Sequence, residues 1–386
     1  MAQGFVDLAE ELQQIKQKNL YRSRRVISTP QGVEITIDNK QLINFSSNDY
    51  LGLANHPDVI QSFKQATDNY GVGSGSAHLI CGHSKSHHAL EEELAEFTGR
   101  DRALLFSTGY MANLGVISAL LGRGDQVFQD RLNHASLLDG GLLSGARFKR
   151  YLHNDIDDLN NKIKVIDGRT LIVTDGVFSM DGDVAPLTEL SALAVKKNAW
   201  LMVDDAHGLG VLGKTGAGIL QQQGITQSDV AILMGTLGKG FGTFGAFVAG
   251  SDVLIETLIQ KARSYVFTTA MPAAVAEATR TSLKLLIKEN WRRDRLRFLV
   301  QRFQLGASQL GLSIMPSDTA IQPLLMGDSQ RATAISEALL NKGFLVSAIR
   351  PPTVPKGEAR LRITFSANHQ EQHVDQLLDV LEKVAI

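Results

Sequence analysis

Apolar residues change their spacing along the chain, and the changes mark out its elements. Phe5, Leu8, Leu12 and Ile15 recur at intervals of three and four, which predicts an amphipathic helix over Phe5–Tyr21. Val33–Ile37 alternates apolar and polar side chains as a half-buried strand does, and Asp38–Asn39 supplies the turn after it. From Phe45 to Gly250 short apolar runs alternate with helical stretches. The clearest runs are Ala103–Phe106, Gln126–Gln129, Thr170–Thr174, Trp200–Val203, Val230–Met234 and Ala246–Ala249. Strands that are apolar on both faces belong to a mainly parallel sheet covered by helices, so the expected fold class is α/β.

Beyond about residue 285 the texture changes. A charged helix over Asn290–Gln309 precedes short strands near Ser313–Met315, Ile321–Leu325, Phe344–Val346 and Arg360–Phe365, and a last helix covers Gln370–Val384. The expected division is a large domain over 46–285 and a smaller α+β domain over 286–386, the latter joined by segment 1–45.

Composition narrows the picture further. A chain of 386 residues with 44% hydrophobic and 20% charged residues has enough apolar material for a large core. The net charge of −1 gives no global field favouring nucleic acid or an anionic membrane. The runs Arg22, Arg24, Arg25 and Arg292, Arg293, Arg295, Arg297 read as solvated helix faces. No apolar run approaches the ~20 residues of a membrane span, and Met1–Glu10 has no long apolar stretch of the kind a secretory signal needs. The one cysteine, Cys81, has no partner for a disulfide, and a lone thiol is more often buried than catalytic. A cytoplasmic enzyme or binding protein is expected.

Three segments carry candidate chemistry. In Trp200–Gly208 an apolar strand ends in Asp204 and Asp205, with His207 close behind. Ligands of open α/β sheets bind beyond the carboxyl ends of the strands. These acids suit a capped surface loop, a metal site, or a carboxylate that pairs with a pyridinium nitrogen beside an imidazole. In Met234–Gly242 a strand runs into a glycine-rich turn carrying Thr236 and Lys239. A Walker loop fails here, because Leu233 stands where its first glycine belongs and Gly240 where Ser or Thr should follow the lysine. A lysine among glycines can instead approach a flat ring and act as a nucleophile once its pKa is lowered. In Ser107–Asn113 a strand opens into a helix whose N-terminal amides form an anion site.

Together, the strand with Asp204-x-x-His207 and then Thr236-x-x-Lys239 resembles the fold type I, aminotransferase-like enzymes that use pyridoxal 5'-phosphate (PLP). The resemblance narrows to their α-oxoamine synthases and covers nearly the whole chain. It runs through Asn44–Leu53, Gly82-His83 with His87–Glu93, Asn133–Leu137, Asp175–Asp183, Thr268–Pro272, Ile349–Pro355 and Arg360–Thr364. It implies a mainly parallel seven-stranded sheet in the large domain, PLP as cofactor, and a homodimer with active sites at the subunit interface. The segments Phe45–Tyr50, Arg263–Pro272 and Arg350–Pro355 lean towards the biotin-pathway branch. That branch joins L-alanine to a pimeloyl thioester, carried by coenzyme A or an acyl-carrier protein, and releases CO2. A glycine-using ligase that makes 2-amino-3-oxobutyrate from acetyl-CoA, or a serine-using long-chain acyl member, is the alternative.

The resemblance also implies roles. Lys239 holds the cofactor covalently and then takes the α-proton. Asp204 pairs with the ring nitrogen, His207 and Ser179 with the phenolic oxygen, and His134 stacks on the ring as an uncharged imidazole. Gly109, Tyr110 and Thr236 hold the phosphate, and Thr268 or Thr269 reaches that of the partner subunit. Arg350, with Asn48, holds the amino-acid carboxylate, and Arg22 and Thr353 line the acyl path. Asp175 departs from the pattern, since close relatives often carry Glu there. His83, His87 and His88 lie within six residues without a companion acid or cysteine, which favours helix capping or packing over a metal site.

Overall fold

The structure is a computed structural model that describes residues 8–17 and 20–385. Its strands, in chain order, are β1 (Glu34–Ile37), β2 (Lys40–Asn44), β3 (Arg102–Phe106), β4 (Gln126–Asp130), β5 (Arg147–Tyr151), β6 (Thr170–Asp175), β7 (Trp200–Asp204), β8 (Ile232–Thr236), β9 (Ala246–Gly250), β10 (Ile321–Gly327), β11 (Phe344–Leu345), β12 (Ser347–Ile349) and β13 (Ala359–Thr364). The described residues fall into two compact units. One takes those of Met1–Ser47, Met180–Gly182 and Leu296–Ile386, and the other takes Asn48–Ser179 and Asp183–Arg295.

The second unit is built on a seven-stranded sheet of order β3-β9-β8-β7-β6-β4-β5. β9 pairs antiparallel with both β3 and β8, and the remaining pairs are parallel. The alternation of side chains decides the two cores. Leu104 and Phe106 of β3 join Val127, Val173, Met202 and Met234 on one face, under Val116 and Ile117 of helix Gly109–Leu120 and Leu254 and Leu258 of helix Asp252–Lys261. Ala103 and Leu105 point the other way with Phe247 and Ala249, and pack on Leu90, Leu94, Leu283 and Leu286. The expected α/β fold with a mainly parallel sheet is the observed one.

The first unit holds two three-stranded sheets, β1-β2-β11 and β10-β13-β12. Expected Ser313–Met315 forms only the bridge Ile314↔Leu324, and expected Phe344–Val346 is reduced to β11, with Val346 separating it from β12. The first helix is Leu8–Gln17. Its Leu8, Leu12 and Ile15 are exposed, whereas Phe5 lies outside the described residues and Tyr21 is beyond the helix.

Two expectations are corrected. Arg292 and Arg293 are buried rather than solvated. Arg292 pairs with Glu289 and donates to the Leu51 carbonyl, and Arg293 donates to that of Leu286. Guanidinium groups that finish backbone carbonyls tolerate burial because their donors are used. Cys81 is exposed, on the single π-helical turn His78–Gly82, and not buried. No helix among the described residues is long and apolar enough to cross a membrane.

Candidate functional site

The carboxyl ends of β3, β6, β7 and β8 deliver the polar residues of the second unit. After β3, Thr108 caps helix Gly109–Leu120 by accepting from the Met111 N–H, so the amides of Gly109 and Tyr110 open the helix. A Cβ on Gly109 would make ordinary contact with Met234 of β8, which places the helix terminus against that strand. The Tyr110 hydroxyl donates to Asp139. Its use towards a phosphate would therefore fall to its backbone amide.

One turn into that helix, buried Asn113 donates to Asp204 Oδ2 and to Ser136 Oγ, each at 2.8 Å. Ser136 in turn lies 2.7 Å from His134 Nδ1. A chain of hydrogen bonds thus joins Asp204 to His134. Because the Asn113 amide gives its proton to Ser136, the serine hydroxyl can give its own to Nδ1. Asp204 also accepts from the Ala206 N–H. His134 caps helix Ala135–Leu143, and its backbone N–H donates to Asp175 Oδ2 at 2.7 Å. The His134 side chain is exposed in part, yet desolvation of the rest holds its pKa below the ordinary value. The Asp204 charge opposes that shift and Lys239 supports it. The uncharged imidazole expected at this position is what the surroundings favour.

Lys239 follows β8 in the glycine-rich turn, with Nζ 2.9 Å from His207 Nε2. The Nδ1 of the same imidazole lies 2.6 Å from the hydroxyl of Tyr50, which is buried. Tyr50 also donates to Asn48 Oδ1 at 3.1 Å. Thr236 Oγ1 donates to the Gly245 carbonyl and accepts from the Gly238 N–H. Ser179 sits in the turn after β6, between Val177 and Val184, which form a bridge. Thr269 forms a bridge with Ala77, beside half-buried Thr268.

Asp205 turns to a different task. Its Oδ2 accepts from the Ile219 N–H at 2.8 Å, and a Cβ on Gly218, whose φ is +91°, would collide with that oxygen. Burial raises its pKa well above the ordinary value. Asp204, Asp205 and His207 are thus each committed to separate partners, against the metal reading of that trio.

Of the other predicted residues, Arg22, Arg350 and Thr353 belong to the first unit. Arg350 follows β12 and donates to Thr333 at 3.4 Å, Thr353 is exposed in the next turn, and Arg22 is exposed outside any helix. Sequence reasoning missed Asn113 and Tyr50. The spacing of Asn113, four residues after the helix-opening glycine on a strand-to-helix turn, is the signal that points to the first.

His87 acts as expected, closing a capping box with Ser84 on helix Lys85–Thr98. The fold does supply an acid that sequence reading did not connect. Ligand atoms of His83, His88 and Glu91 lie within 4.8 Å of one another. Burial raises the Glu91 pKa to about 7, against the lowering influence of the Leu105 N–H and the charge of Arg102.

The second unit fits PLP. A buried carboxylate held by an amide, an amine against an imidazole, and a helix N-terminus are the donors its ring nitrogen, aldehyde and phosphate require. The profile of class I and II aminotransferases matches residues 40–381. The 8-amino-7-oxononanoate synthase of Saccharophagus degradans is 61% identical, over 98% of this chain and 96% of its own length. That of Thioalkalivibrio sulfidiphilus is 60% identical, over 98% and 97%. Among solved structures, Sphingomonas wittichii serine palmitoyltransferase superposes with a TM-score of 0.93 at 33% identity, covering 100% of this chain and 98% of that one. The 8-amino-7-oxononanoate synthase of Francisella tularensis gives 0.78 at 32%, covering 89% and 97%. The chain belongs to the 8-amino-7-oxononanoate synthases, PLP-dependent acyltransferases of the aminotransferase class I and II family.

Proposed function

We propose that this chain joins L-alanine to a pimeloyl thioester, giving 8-amino-7-oxononanoate, CO2 and the free thiol, with Lys239 as the residue that carries the cofactor and moves the α-proton. The carrying observation is the Lys239 amine, 2.9 Å from His207 beyond the end of a strand beside the one that ends in Asp204. When bound, PLP supplies an electron sink for the charge that develops at the substrate α-carbon.

The protein's residues do the rest. Asp204, steadied by Asn113 and the Ala206 amide, keeps a proton on the ring nitrogen. His134 would stack on the ring as a neutral imidazole, and His207 with Ser179 would hold the phenolic oxygen. The amides of Gly109 and Tyr110, with Thr236, hold the phosphate. Arg350 grips the alanine carboxylate by two parallel hydrogen bonds, with Asn48 assisting, and Arg22 and Thr353 border the acyl path. Holding both substrates in one site converts the carbon–carbon bond formation into an intramolecular event. The acyl carrier is coenzyme A or an acyl-carrier protein.

The working form is a homodimer with Thr268 and Thr269 serving the partner's phosphate. Two exposed apolar side chains support this reading: Ile80 and Phe267 each lie within three residues of the bridge Ala77↔Thr269.

Borohydride reduction followed by peptide mass spectrometry tests the cofactor reading, with the pyridoxyl label expected on Lys239. Thiol release with alanine, glycine and serine against pimeloyl-, acetyl- and palmitoyl-CoA tests the substrates. Preference for glycine with acetyl-CoA, or serine with palmitoyl-CoA, would overturn the assignment.

A further inference from the structure

We propose that Tyr50 is a positioning residue that sets which ring nitrogen of His207 carries the proton, and so whether His207 takes or gives a hydrogen bond on its Lys239 side. The inference rests on the roles assigned above to Lys239 and His207.

The phenol of Tyr50 stands between two acceptors, Asn48 Oδ1 at 3.1 Å and His207 Nδ1 at 2.6 Å, and it has one proton to give. Each choice dictates the other end of the imidazole, because a neutral ring has a single N–H. When the phenol donates to Asn48, it accepts from Nδ1–H. Nε2 then bears no hydrogen and accepts from the Lys239 amine 2.9 Å away. When the phenol turns its proton to Nδ1, Nε2 bears the hydrogen and can donate to an anionic oxygen. The reaction asks for both. Lys239 needs an acceptor while its amine is free, and the phenolic oxygen of the cofactor needs a donor while that lysine is bonded.

Burial suits Tyr50 to this work. Its ring is 1% exposed, so the phenol has no bulk solvent to exchange with, yet a hydroxyl hydrogen can still rotate in place. The two patterns are tautomers: each holds one hydrogen on the phenol and one on the imidazole, on Nδ1 in the first and on Nε2 in the second. The phenol hydrogen turns towards Nδ1 only where the ring hydrogen is on Nε2.

The test uses holoenzyme and the pH midpoint of its visible absorbance band, which reports the proton shared by Lys239 and the cofactor. Tyr50→Phe removes the donor that enforces Nε2–H. Loss of one neutral hydrogen bond is expected to raise the midpoint by about half to one pH unit. It is also expected to lower kcat several-fold while the KM for alanine stays within about twofold. In a His207→Gln background the same substitution is expected to move the midpoint no further. An unmoved midpoint in Tyr50→Phe overturns the proposal, as does an equal shift with or without His207. Should Tyr50→Phe not fold, 3-fluorotyrosine placed at position 50 keeps the hydroxyl and makes it a better donor. It is expected to lower the midpoint, and no change would overturn the proposal. A borohydride label on another lysine removes the reading beneath; a label on Lys239 with an unmoved midpoint removes only the role of Tyr50.

Discussion

Asp175 and Asp204 are register partners, each the last residue of its strand, on adjacent parallel β6 and β7. Side chains at paired positions leave a sheet on the same face, so two buried carboxyls share one small region. Burial first, and then the Asp204 charge, push the Asp175 pKa well above the ordinary carboxylate value. Asp175 is thus driven towards its neutral form, while its Oδ2 accepts from the His134 N–H.

A pKa raised by folding contributes stability that is full below the unfolded value and disappears as pH rises through the folded one. Asp175→Asn is therefore expected to stabilise the cofactor-free protein at pH 8, by about 2–4 °C per kcal/mol recovered. The gain should shrink as pH falls towards 4. Thermal melts across that range check this, and a variant that is less stable at pH 8 than at pH 5, relative to the parent, would contradict it.

Asn113 supplies the hydrogen bond that holds Asp204 Oδ2. Asn113→Ala is expected to weaken cofactor binding about tenfold or more, since a hydrogen bond to a charged group contributes ~1.5–3 kcal/mol. Asn113→Asp should be worse, because it places a like charge against Asp204. Absorbance titration of the cofactor-free protein measures both, and dissociation constants within twofold of the parent would refute the role.

His153 donates from Nδ1 to Asp130 at 3.0 Å and from Nε2 to Asp183 at 2.7 Å. Burial alone would lower its pKa, but the hydrogen bonds and charges of the two acids prevail and lift it to about 9. This raised base stabilises the fold fully below its unfolded pKa of ~6.5, and the effect is lost as pH climbs through about 9. His153→Gln is expected to melt lower than the parent at pH 6 and to approach it by pH 10. A constant gap across that range would show that the charge is not what His153 contributes.

Ile80 and Phe267 test the dimer. Ile80→Asp is expected to shift the sedimenting species to a monomer of about half the mass and to lose turnover with it. A dimer that persists unchanged would move the subunit contact elsewhere.

Much of this was legible in the amino-acid order. The apolar strands and the acids, amine and glycines at their ends carry local signals, because a buried parallel strand is apolar throughout and a ligand turn needs glycine. β5 did not stand out among the apolar runs, since Arg147-Phe-Lys-Arg-Tyr151 lies at the sheet edge, where solvent accepts charge. The burial of Arg292 was illegible too, for its partner is the carbonyl of Leu51, far away in the chain. Tyr50 and Asn113 escaped notice for the same reason. Nothing adjacent to Tyr50 announces His207, and nothing beside Asn113 announces Asp204.

The sheet order has a consequence for how the enzyme is born. β3 is the first strand of the large sheet to leave the ribosome, and its sheet neighbour β9 is the last, with Leu104 paired to Val248. A nascent chain halted before residue 246 would leave β3 with no strand partner in that sheet and β8 without its own antiparallel neighbour. The helix that opens at Gly109 would then have no finished floor beneath it. Completion of the seven-stranded order therefore waits on residues 246–250, the last of that sheet to be synthesised.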